Sequence, residues 1–264
     1  MSIPKLEECG SVKECRVLII SNSLSSLFYG KGDEQNRECI EDMDQTSNYC
    51  QVLSHAFNAD IERISTTLTQ LQPCELIKLK DPTADSMLQT CTRFIESHDL
   101  GKTGGNIVFF VGVGRAANDT LYLLCADRKW VSVLQIAHNL SAFQSGSPVV
   151  TIIQAIDAPE DIWTSRLMDA PRHSPCSMEN MTLFWDLCPF HPSLCNRDGT
   201  LMMQVIANQL QTRAEYSTIQ EMLVCSKDIV DWYVTSMGRE LQLSVCGGQR
   251  LPCSQLLGAS RPLR

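Results

Sequence analysis

The chain has 264 residues, of which 44% are hydrophobic and 20% charged, a balance that suits a globular chain with one large domain or two small ones. Its formal net charge of −8, with no basic stripe, argues against nucleic acid as the main partner. No apolar run approaches the roughly 20 residues of a membrane helix, and the opening MSIPKLEECGSVKEC lacks the apolar core of a leader, so a cytoplasmic protein with no membrane partner is expected.

In chain order, the apolar period alternates between strand and helix. Val17 to Ser21 (VLIIS) is a continuous apolar run and predicts a buried strand. The polar SNSLSSLFYGKGDEQNR that follows reads as a loop, and YCQVLSHAF (49–57) has apolar residues at helical spacing. CELIKLKDP (74–82) predicts a strand stopped by Pro82. TADSMLQTCTRFIESH (83–98) predicts a helix with Thr83 as its N-cap and Met87, Cys91, Phe94 and Ile95 as its inner stripe. NIVFFVGVG (106–114) is a third strand, buried on both faces by its composition. TLYLLCAD (120–127) suits a short hairpin arm, WVSVLQIAHNLSAF (130–143) a helix, and SPVVTIIQAID (147–157) a fourth core strand.

After Asp157 the composition changes. Residues 158–180 carry three prolines, several charges and little periodicity, and read as a long exposed linker. MTLFWDLC (181–188) predicts a strand. GTLMMQVIANQL (199–210) and TIQEMLVCSKDIVDWYVTS (218–236) predict amphipathic helices, and ELQLSVC (240–246) alternates like an edge strand. Strands alternating with helices of this length imply an α/β fold with a mostly parallel sheet and helices on both faces. In such sheets chemistry collects at the carboxyl ends of the strands, here Gly112-Val113-Gly114 and Gln154-Ala155-Ile156-Asp157.

The 13 cysteines are an odd number spread from Cys9 to Cys253, and suit reduced, mostly buried thiols. Cys188, His191 and Cys195 lie close together, but zinc needs about four ligands, so a cysteine-rich loop is expected there and no metal or other cofactor.

This arrangement resembles the caspase family of cysteine proteases over roughly residues 14 to 259. Asp198-Gly199-Thr200 before LMMQVIANQL, the helix of Glu221-Met222-Leu223 to Val230, and Gly248-Gln249-Arg250-Leu251-Pro252-Cys253 are similar to the family's Asp-Gly-Ser, following-helix and Lys-Gln-Ile-Pro-Cys segments. The resemblance implies a three-layer αβα sandwich around a sheet of about six strands. It divides one domain into a tail (1–13), a large-unit region (14–157), an intersubunit linker (158–180) and a small-unit region (181–264). Only about 13 residues precede the caspase-like region, so no recruitment domain is expected ahead of it.

Caspases carry their catalytic histidine in a Ser-His-Gly turn and their nucleophile in a Gln-Ala-Cys-Arg-Gly segment. By this resemblance Val113 stands for the histidine, Ile156 for the cysteine and Asp157 for the arginine after it. The arginines that clasp the substrate aspartate fare no better. Leu194 takes the small-unit position, with Arg197 three positions away, and Arg37 is the remaining candidate for the large-unit one. Valine and isoleucine supply neither nucleophile nor base. Asp157 would repel an acidic side chain. A catalytically dead relative is therefore expected.

No other residue offers an obvious rescue. Cys125 reads as a core or hairpin residue, and His55, His98, His138 and His173 as helix, helix-end, helix and linker residues. An active enzyme with a displaced catalytic residue is the alternative. A decoy substrate cut after Asp161 or Asp169 in the linker is another. Caspases dimerise by pairing their last strands, and Leu241, Leu243 and Val245 stand at that edge. The expected partner is a second copy or an active caspase, and the expected setting is cell death.

Overall fold

The computed structural model describes residues 14–22, 43–97, 103–117, 120–141, 147–157, 181–189, 191, 194–238 and 242–247. Ten strands lie in this span: β1 (Glu14–Ser21), β2 (Cys74–Lys80), β3 (Thr103–Ala117), β4 (Thr120–Leu124), β5 (Trp130–Ser132), β6 (Val149–Asp157), β7 (Met181–Pro189), β8 (Cys195–Asn196), β9 (Gly199–Thr200) and β10 (Gln242–Gly247). Five helices accompany them: α1 (Met43–Leu71), α2 (Ala84–Glu96), α3 (Val133–Ser141), α4 (Leu201–Arg213) and α5 (Ile219–Ser236).

The main sheet runs β10-β7-β6-β3-β1-β2, with β4 and β5 extending it from β3. Its inner pairs β2–β1, β1–β3, β3–β6 and β6–β7 are parallel, whereas β10 joins β7 antiparallel. Side chains alternate across each strand. Val17, Ile19, Ile107, Phe109, Val150, Ile152 and Phe184 face one core with α1, α4 and α5; Leu18, Ile20, Val108, Phe110, Ile153 and Leu183 face the other with α2 and α3. Helices on both faces explain why these strands read as continuous apolar runs.

Local chemistry sets the ends of the helices. The Thr83 side chain accepts from Ser86 N, and Met87, Cys91, Phe94 and Ile95 are buried along α2, as their spacing predicts. Each fully buried large apolar side chain contributes roughly 1.5–3 kcal/mol. Thr218 opens α5 in a capping box with Glu221. Arg16, buried on β1, donates to Glu75 Oε2 at 2.7 Å, to the Phe94 carbonyl at 2.6 Å and to Ser97 Oγ at 2.8 Å. One guanidinium thereby joins two strands to α2.

Three elements differ from expectation. The helix expected over 49–57 spans 29 residues, because Ile61, Ile64 and Leu68 continue its buried stripe beyond Phe57. Trp130–Ser132 is a strand rather than a first helical turn: it pairs with β4, and Ser132 Oγ accepts from Gln135 N at the start of α3. Gly199–Thr200 likewise pairs with Cys195–Asn196 before α4 begins at Leu201, with the Thr200 side chain capping Met203 N. The linker expected at 158–180 lies outside the described residues, as does the loop expected at 21–37 beyond Asn22, its first residue Ser21 being the last of β1.

A buried carboxyl fastens this small β8–β9 hairpin to α1. Asp60 is fully buried and accepts a hydrogen bond from Thr200 N at 2.9 Å, while Arg63 Nη2 donates to the Asp198 carbonyl at 3.0 Å. Gly199 has φ +108°, and a Cβ there would collide with Asp60 Oδ1. Gly238, with φ +68°, has open space around it. Gly238→Ala is therefore expected to cost only the ~1–2 kcal/mol of a left-handed alanine, and Gly199→Ala clearly more. Urea unfolding midpoints of the two variants check this ordering.

Candidate functional site

The site is built from the carboxyl ends of β3, β6 and β7. Parallel pairing without a register shift at these ends places Val113 opposite Ile156, and Ile156 opposite Cys188. Val113 and Ile156 are both 0% exposed and belong to the core beneath α1, α4 and α5. The next row on the same face, two residues back, is Val111, Gln154 and Asp186. Between these rows Gly112, Ala155 and Leu187 point to the opposite face.

Gly114 follows Val113 where the β4 arm folds back, paired with Leu123. A Cβ there would come within 2.7 Å of the Ala155 Cβ and 3.0 Å of the Tyr122 carbonyl. The glycine lets the arm and β6 approach together.

The lower row is chemically unusual. Asp186 is 0% exposed, and neither of its carboxyl oxygens accepts a hydrogen bond among the described residues. Gln154 beside it directs Nε2 to the Ala155 carbonyl at 3.2 Å, which leaves Gln154 Oε1 without a donor. Burial pushes the Asp186 carboxyl well above the usual carboxylate range, and the neighbouring Gln154 side chain offsets only part of this.

The caspase domain family matches residues 46–256. The chain belongs to the caspase family. No match was found among curated proteins. The match covers the sheet from β2 onward together with all of α2 to α5, so the fold just described is that of a caspase domain.

The other residues singled out in this caspase domain occupy varied places. Asp157 is exposed at the end of β6, in register with Gly114 and Pro189. Leu194 is buried; its carbonyl accepts from Leu201 N at 2.8 Å, so it belongs to the core and the β8–β9 hairpin. Arg197 is exposed in the turn of that hairpin. Leu243 and Val245 lie on β10, opposite Asp186 and Phe184. Arg37, His98, Asp161, Asp169, His173 and Leu241 lie outside the described residues.

Cys188 and Cys195 are both buried, and no three His, Cys, Asp or Glu side chains are gathered to hold a metal ion among the described residues. Cys125 is buried in the core under α2 and α3, whereas His55 and His138 are exposed on α1 and α3. No helix among the described residues is long and apolar enough to cross a membrane.

Sequence reasoning passed over Asp186 and Asp60. Asp186 had a signal, as a lone charge inside the apolar run MTLFWDLC. Asp60 had a weaker one, since it interrupts an otherwise apolar stripe of α1.

Thiol chemistry supplies a test of this arrangement. Burial pushes the Cys91 thiol up to about 12; it does the same for Cys125, helped by Asp127, and for Cys195, helped by Asp60. The thiolate is the reactive form. In the folded protein at about pH 8, where a free cysteine is partly ionised, Cys91, Cys125 and Cys195 should resist iodoacetamide, and half-exposed Cys225 should be alkylated. Peptide mass mapping before and after unfolding reads the difference.

Proposed function

We propose that this chain is a catalytically dead member of the caspase family that regulates caspase activity, and with it cell death, by pairing with itself or with an active caspase. The juxtaposition of Val113 and Ile156 supports this role. The resemblance assigns them to the histidine and cysteine positions, and they stand side by side, fully buried, at the ends of adjacent strands. Hydrolysis of a peptide by this route requires a thiolate to attack the carbonyl and a second group to move protons to the leaving amine. Two aliphatic side chains hold no lone pair or labile proton. Leu194 and Asp157 stand where the resemblance expects arginines, so a substrate aspartate would meet an apolar and an anionic side chain instead of guanidinium groups.

Without catalysis, surface carries the function. β10 ends the main sheet and pairs with β7 alone among the described strands. An edge strand of this kind accepts a further strand through its backbone, and antiparallel pairing of two copies about a two-fold axis forms a self-complementary contact. The large-unit region (14–157), linker (158–180) and small-unit region (181–264) would then form one protomer of such a pair.

A second reading is favoured by one observation. Cys188 is the register neighbour of Ile156 and shares its face, one strand over from the position the resemblance assigns to the nucleophile. A displaced nucleophile would sit there.

Fluorogenic peptides with aspartate or a basic residue before the scissile bond should give no turnover above buffer. Turnover that disappears in Cys188→Ser would replace the dead-enzyme reading with the displaced-nucleophile one. For the pairing role, size-exclusion chromatography alone and with active caspases should show association. Leu243→Arg should weaken it by at least tenfold; an unchanged elution profile in that variant overturns pairing through β10.

A further inference from the structure

We propose that Cys15 and Cys74 form a modification site, at which a peroxide oxidises the two thiols to a reversible disulfide that ties β1 to β2. This goes beyond the regulatory reading and is independent of it.

The two cysteines stand at opposite ends of a long segment that includes all of α1, and the sheet makes them neighbours. Cys15 and Cys74 are register partners in the parallel β1–β2 ladder, which runs unbroken from this pair to Ser21 and Lys80. Both side chains turn to the same face and pack with the core beneath α1, α4 and α5. Neighbouring strands lie about 4.8 Å apart, and a disulfide spans Cα separations of about 4.4–6.8 Å. The backbone therefore already holds the pair within bridging range. No other two cysteines are register partners among the described strands.

Access is divided between the two thiols. Cys15 is 0% exposed, whereas Cys74, the first residue of β2, is half-buried where β2 ends the main sheet. An oxidant thus reaches Cys74 first. The Cys15 thiol makes one weak contact, donating to the Arg16 carbonyl at 3.8 Å. Beside Cys15 the pairing of β1 with β3 shifts register, between Glu14 and Arg16, so the regular ladder at Cys15 is the one to β2. The next register pair, Arg16 and Glu75, turns to the opposite face, where Arg16 also reaches the Phe94 carbonyl. Burial pushes both thiols up, and Cys74 adds to the effect at Cys15. Little thiolate is present near neutrality, so the bridge forms slowly.

The chemistry balances with a peroxide as the oxidant. The Cys74 thiol gives up its proton, and its sulfur attacks one oxygen of hydrogen peroxide. An S–O bond forms, the O–O bond breaks, and the departing hydroxide takes that proton to become water. The Cys15 sulfur then attacks the sulfur of the Cys74 sulfenic acid. The S–S bond forms, the S–O bond breaks, and the Cys15 proton leaves with the hydroxyl group as a second water. Two electrons pass from the pair of sulfurs to the peroxide, and a dithiol reductant reverses the bridge by exchange. The bridge closes a covalent ring around the segment between the cysteines and pins β2. This edge is the one remote from β10, so bridge formation and pairing through β10 are separable.

The test treats the full folded chain with hydrogen peroxide, quenches with catalase, alkylates the remaining thiols in denaturant and maps peptides without reduction. Trypsin releases Cys15 in residues 14–16 and Cys74 in residues 64–78. The two peptides should appear as one linked species, lighter by two hydrogens than their sum, which dithiothreitol separates. Cys74→Ser should lose that species, and in Cys15→Ser the Cys74 sulfenic acid should instead be trapped by dimedone. Oxidation should raise the urea midpoint of wild type, since the closed ring restricts the unfolded chain, and should not raise that of Cys74→Ser. Absence of the linked species from folded protein treated with peroxide overturns the proposal, even if it forms in denaturant. So does an equal rise in midpoint in Cys74→Ser. Should a variant not fold, the wild-type peptide map alone decides.

Discussion

The inner strands of a parallel sheet covered by helices on both faces offer no row of side chains to water, and the carboxyl ends of β3, β6 and β7 inherit that constraint. In the top row Val113 and Ile156 meet it simply, by being apolar. A histidine and a thiol at the same two places would require a polar, solvated recess to keep their ionised forms accessible. Here both positions are fully buried in the core beneath α1, α4 and α5. The chemistry that these positions can support is thus decided by packing as much as by residue type.

Buried polar groups show how the same constraint is met where the chain does place charge inside. Arg16 has a donor for each of three partners and an aromatic ring, Phe94, 4.7 Å from its guanidinium carbon. Asp60 has one oxygen bonded to Thr200 N and the other without a partner among the described residues. Asp186 has neither oxygen bonded. Burial pushes both carboxyls well above the usual carboxylate range, since an uncompensated buried charge is far more costly than a shifted protonation equilibrium. Arg16 clips β1 to β2 and α2, Asp60 clips α1 to the β8–β9 hairpin, and Asp186 faces Gln154 across β6 and β7. Each joins segments distant in sequence.

Much of this fold was legible beforehand because period and capping are local. The strands at 17–21, 106–114, 147–157 and 181–188 declare themselves by runs too apolar for any exposed face, and α2 by its cap and stripe. The errors fell where a short partner decides the outcome. Trp130–Ser132 lies next to a helical pattern and is drawn into a strand by β4; Gly199–Thr200 is drawn out of α4 by Cys195–Asn196. Two or three residues carry too little period to announce a strand, so pairing alone makes them one.

The sequence by itself determined the alternation of strand and helix, the absence of ionisable side chains at Val113 and Ile156, and the order of segments that marks a caspase domain. Those follow from residue type and spacing, which need no neighbour. Only the tertiary structure decided that Val113 and Ile156 are register partners, that Cys188 lies beside them, that Leu194 is a core residue, and that buried Asp186 faces Gln154 in register. Parallel strands bring together residues tens of positions apart. A shift of one residue in their register would turn every one of these side chains to the other face.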